Sequence, residues 1–154
     1  MTYLYNLIES ISGYNNKKFL YHASPIQNLK FLKKEYNISS IETNSKKKWI
    51  YAGPKKMIAA FSFPWDDSMG ITYTDNGKDL ENRIYTINIP RKFVNLISKP
   101  CSIYTIDKKS FTLAKGGLGD EYRSSRESIK VLSEEKFKSA KNCMEQNNII
   151  INIK

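Results

Sequence analysis

The chain reads as a mixed α+β domain. Three observations predict it: short strand-like segments recur along the whole length, few stretches carry helical spacing, and no regular strand–helix–strand alternation is present. A length of 154 residues with 40% hydrophobic content is enough to close one core, and no internal repeat or low-complexity boundary divides it, so a single domain over 1–154 is expected.

The elements follow in order. Tyr3, Leu4, Leu7, Ile8 and Ile11 fall at helical spacing ahead of Gly13, which predicts an N-terminal helix over 2–12. "KKFLYHAS" predicts the first strand, closed by Pro25, and holds the only histidine of the chain, His22. "IQNLKFLKK" mixes apolar and polar residues without a dominant period, and Tyr36 to Lys48, with its Lys46 to Lys48 run, reads as a solvated loop. "WIYAG" is aromatic and β-branched, so it predicts a second strand, ended by a Gly-Pro turn. In "KKMIAAFSF" (Lys55 to Phe63), Met57, Ile58 and Phe61 share one side of a short helix that Pro64 terminates, and Asp66 to Gly77 reads as a loop.

"NRIYTINIP" alternates, with Ile84, Thr86 and Asn88 on one face and Tyr85, Ile87 and Ile89 on the other. Pro90 suits the first turn of a short helix in "RKFVNLI", and "CSIYTID" predicts another strand. The glycine-rich "AKGGLGD" precedes "EYRSS", and "SIKVL" reads as a strand. "SEEKFKSAKNCMEQN" predicts a helix with Ser133 as N-cap, Glu134 and Glu135 favourable to the dipole in its first turn, and Phe137, Ala140 and Met144 as its apolar seam. "IIINI" supplies a last strand.

A formal charge of +10 favours anionic partners: a nucleic acid, a nucleotide or an acidic surface. Lysine far outnumbers arginine, however, and Asn and Ile are abundant, a bias that an AT-rich genome also produces. No basic start followed by an apolar run and no stretch of about 18 apolar residues is present. The expectation is therefore a cytoplasmic protein with reduced thiols and no membrane association. Cys101 and Cys143 lack the spacing of a metal site, and neither a Walker loop nor a dinucleotide glycine motif occurs. The adjacent carboxylates Asp66 and Asp67, like Glu134 and Glu135, should point apart rather than act as dyads.

Three short motifs stand in a telling order: "YHAS" on the first strand, Tyr51 on a strand entering a helix that leads to Phe61, and Glu121-Tyr122 at the start of a late strand. This order resembles the His-Tyr-Glu branch of the ADP-ribosyltransferase-like fold, that of diphtheria-toxin-like enzymes and poly(ADP-ribose) polymerases. The resemblance implies short mixed or antiparallel strands in two packed sheets with a few helices, and NAD as substrate. It implies further that His22 and the backbone of Ala23 hold the dinucleotide, the imidazole donating to the adenosine ribose and residue 23 pairing with the nicotinamide amide. Tyr51 and Phe61 would sandwich the cationic ring. Glu121 would be the catalytic carboxylate, stabilising the charge that develops on the ribose as the glycosidic bond lengthens. The pyridinium leaves as a neutral ring, so no general acid is required.

Departures from the family pattern are Ala23 in place of Gly, Phe61 in place of Tyr, and Gly119 where the arginine-modifying branch carries Glu or Gln two residues before the catalytic Glu. Arginine is thereby disfavoured as acceptor, leaving a protein or nucleic-acid acceptor of another kind. Two other readings compete. One is a catalytically inactive module of the same fold that binds nucleotide or nucleic acid through its basic surface. The other is a phosphotransferase of the RNA 2'-phosphotransferase type, disfavoured by the lack of a second His.

Overall fold

The computed structural model describes residues 18–34, 49–74, 83–114 and 121–154. The expected helix over 2–12, the Lys46 to Lys48 run and the loop Gly116 to Gly119 lie outside the described residues. The architecture is mixed α+β, mostly strands with few helices. In place of two packed sheets, the described strands form four small ones.

Strand β1 (Phe19–Ser24) pairs antiparallel with β6 (Cys101–Asp107), whose other edge carries β10 (Ser133–Phe137). A second sheet joins β4 (Gly70–Thr74), β5 (Ile84–Ile89) and β11 (Ile150–Ile153), with β11 parallel to β5. Two residue runs make a ribbon of β2 (Phe31–Lys33) and β9 (Ser128–Lys130). The last sheet is β3 (Ile50–Ala52), β8 (Tyr122–Ser124) and β7 (Thr112–Leu113). Helix α1 (Lys55–Ala59) follows β3, α2 (Ala140–Gln146) precedes β11, and Arg91–Ser98 is a 3-10 helix begun by Pro90.

β6 explains how the core is divided. Nearly every residue along it is buried, because both of its faces are covered. Cys101 and Ile103 face one cluster with Ala23, Met57, Ile87, Phe137 and Met144, whereas Tyr104 and Ile106 face a second with Leu20, Leu32, Ile50, Ala52 and Tyr122. The alternation of β5 falls as its sequence dictates, with Tyr85, Ile87 and Ile89 buried.

Two elements differ from expectation. Residues 133–137 form strand β10 rather than the first turns of a helix, which begins only at Ala140 with Ser139 as N-cap, its hydroxyl accepting from the Asn142 N–H at 3.0 Å. Phe137, Ala140 and Met144 are all buried, so the spacing was a true apolar signal, but β6 offers an open edge that captures the first five residues into a ladder. Within the expected loop from Asp66, Gly70–Thr74 is a strand, since β-branched and aromatic side chains at 71–74 meet β5 as a pairing partner.

Candidate functional site

The site grows from the register of β1. Its even-numbered residues hydrogen-bond β6, as the Lys108 N–H to Lys18 carbonyl bond marks, so alternation turns the backbone groups of Tyr21 and Ala23 toward β3. Tyr21 uses both of its groups on Gly53, at 2.9 and 3.0 Å. A continued ladder would next join Ala23 to Tyr51. It does not continue: Tyr21 and Gly53 form an isolated bridge, and the Tyr51 carbonyl is taken instead by Nδ1 of His22 at 2.6 Å. The pairing stops after one bridge, and the imidazole takes the carbonyl that the Ala23 N–H would meet in a continued ladder. By alternation the Ala23 N–H and carbonyl point to the β3 side.

That contact fixes the ring's chemistry. A carbonyl only accepts, so Nδ1 carries the proton, and Nε2 of the neutral ring is an acceptor. Nε2 is buried and has no hydrogen-bond partner among the described residues. Burial pulls the pKa of His22 below its ordinary value, and the Tyr51 carbonyl offsets this only in part, so the ring is neutral at pH 7. A buried acceptor without a donor costs about 1–3 kcal/mol, a penalty that a hydroxyl-bearing ligand would relieve.

The remaining sequence candidates divide between the two faces of these strands. Tyr51 pairs with Arg123, and Ala52 with Tyr122, so Glu121 falls beside Gly53 at the next register position; its carbonyl accepts from the Ala114 N–H at 2.8 Å. By alternation Tyr21, Tyr51 and Glu121 lie on one face of the strands and His22 on the other, with Ala52 and Tyr122. Histidine therefore meets the rest through the gap between strands and not across a shared face. Tyr21, Gly53 and Glu121 form one cross-strand row whose middle member has no side chain, a slot that the sequence signalled only as a Gly-Pro turn. Arg123 stacks its guanidinium over Trp49 at 4.2 Å. Phe61 lies beyond α1, half-buried, with its ring 5.1 Å from that of Trp65.

A polar anchor missed in the sequence holds the turn after "YHAS". Oε2 of Glu134 accepts from the Asn28 N–H at 2.9 Å and from the fully buried Ser102 hydroxyl at 2.6 Å. Burial alone would raise the Glu134 carboxyl, but Ser102 and Asn28 as donors, with Lys136 nearby, outweigh it and hold it below the ordinary range. Tyr104 donates to the Ile26 carbonyl at 2.6 Å and accepts from the Leu29 N–H at 3.2 Å. Asn28 takes the left-handed conformation, φ 66°, inside this clamp. Glu135 turns the other way, to Lys55 at 2.6 Å, so the adjacent acids do point apart.

Cys101 and Cys143 meet in the core beside Ser62. Their shared hydrogen bond and burial push the Cys143 thiol far up. Among the described residues no helix is long and apolar enough to cross a membrane. No protein-family model, curated protein or solved structure matches the chain.

Proposed function

We propose that the chain carries an ADP-ribosyltransferase-like fold and uses NAD for ADP-ribosyl transfer, or for hydrolysis to ADP-ribose and nicotinamide. One observation carries the reading: a lone, buried, neutral imidazole is committed through Nδ1 to the Tyr51 carbonyl, and its Nε2 is buried without a hydrogen-bond partner among the described residues. An amide-bearing ring matches the Ala23 groups, one as donor and one as acceptor. A ribose hydroxyl matches Nε2, but with the hydroxyl donating, because Nδ1 is already committed to Tyr51.

Glu121, beside Gly53, lies on the Tyr51 face of the strands. As the nicotinamide–ribose bond breaks, its electron pair leaves with the ring, and positive charge builds on the ribose. A carboxylate on that side stabilises the charge and orients the incoming hydroxyl. Tyr51 offers a ring face to the nicotinamide. Phe61 would complete the sandwich only by taking the ligand in place of, or alongside, its contact with Trp65.

The test is nicotinamide release from labelled NAD by wild type and Glu121→Gln. Loss of an oxyanion- or cation-stabilising group typically costs about 10²–10³ in rate, which is the fall expected. Release unchanged by Glu121→Gln would remove Glu121 from the chemistry. Saturable NAD binding without release, lost in His22→Ala, would instead favour an inactive nucleotide-binding module.

A further inference from the structure

The β2–β9 ribbon presents a second surface, on the side away from the core. Leu32 and Ile129 point into the core cluster. Alternation therefore turns Phe31, Lys33, Ser128 and Lys130 outward, and all four are exposed. Phe31 lies directly opposite Lys130, and Lys33 sits diagonally from Lys130, about 7–8 Å away. Leu132 extends the same side. Phe31 and Leu132 are 49% and 50% exposed. Lys30 and Arg126 flank the ribbon and are also exposed. Glu127, just before β9, is paired to Lys34 at 3.3 Å.

An exposed aromatic ring beside exposed cations that have no ion-pair partner among the described residues fits one chemistry in particular. Each unstacked base offers a π-face to Phe31, and each phosphate a charge to the lysines, without sequence readout. We propose that the outer face of the β2–β9 ribbon binds single-stranded nucleic acid, with Phe31 as stacking platform and Lys33, Lys130 and Arg126 as phosphate contacts. This inference stands apart from the nucleotide reading of the His22 site. It rests on one exposed aromatic ring directly opposite one lysine and diagonal to another.

The experiment is fluorescence anisotropy of the full chain with labelled 15-nucleotide oligo(U) and oligo(dT), a duplex of equal length, and anionic phospholipid vesicles. Phe31→Ala should weaken single-strand binding about tenfold, within the range for one lost base stack. Lys33→Glu with Lys130→Glu should weaken it at least as much and flatten the log–log salt dependence by about 1.4, two phosphates at 0.7 each. Lys138→Glu with Lys141→Glu, an equal change of charge at exposed positions beside α2, should have little effect. The proposal is overturned if wild type does not bind, if the two double variants lose equally, or if duplex or vesicles bind as tightly with Phe31 irrelevant. Nicotinamide release is measured on the same proteins. Single-strand binding with no nicotinamide release would leave this surface standing and end the transfer reading; release without such binding would do the reverse.

Discussion

Lowering the pH from 6.5 to 5 should destabilise the protein through His22. The unfolded chain binds a proton with a pKa near 6.5, whereas in the folded state burial depresses the imidazole's pKa. Sign follows directly: above pH 6.5 both states are neutral and the fold is at full stability, and below it only the unfolded state gains a proton. Stability falls as pH drops through this window until the folded pKa is reached, with a limiting slope of about 1.4 kcal/mol per pH unit for one proton. For a chain of this size that corresponds to roughly 3–5 °C in Tm per unit. The chain has a single histidine, and comparison with His22→Gln separates its share from that of the carboxyls, whose unfolded-state titration begins near the lower end of the window. Urea or thermal unfolding of wild type and His22→Gln at half-unit steps measures the slope. Wild type should show it and the variant should not. Identical profiles for the two proteins would refute a buried neutral imidazole, and with it the acceptor role of Nε2.

Glu134→Ala should cost about 1–3 kcal/mol, since the buried Ser102 hydroxyl loses its acceptor and the left-handed Asn28 its clamp; chemical denaturation checks it, with Glu134→Gln expected to be intermediate. Cys101 and Cys143, both inaccessible, should resist alkylation in the native state and react only on unfolding, as mass spectrometry would show; fast native labelling would contradict their burial. Ile103→Ala, in a strand covered on both faces, should destabilise by about 2–5 kcal/mol, read from the denaturation midpoint.

Local pattern was enough for much of the framework. β1, β5, β6 and β11 follow from alternation or apolar runs, because a strand's two faces are written directly into every second residue. The same logic failed at 133–137, where apolar residues at helical spacing were real but the backbone found a better partner in the edge of β6. Gly70–Thr74 was missed for the same reason, as pairing with β5 is a long-range event that composition does not announce. Of the candidate site, the sequence marked His22, Ala23, Tyr51, Phe61 and Glu121 individually. Glu134 gave no signal, since its partners Asn28 and Ser102 are distant in the chain.

By itself the sequence determined that this is a basic, mixed α+β chain with a single imidazole inside a strand. Only the tertiary structure decided what that imidazole is. Beside the isolated Tyr21–Gly53 bridge, Nδ1 is committed to the Tyr51 carbonyl and Nε2 is left buried as an acceptor. Tautomer and pKa depend on which carbonyl lies within reach and how much water is excluded, and both are set by residues 29 positions apart meeting across two strands.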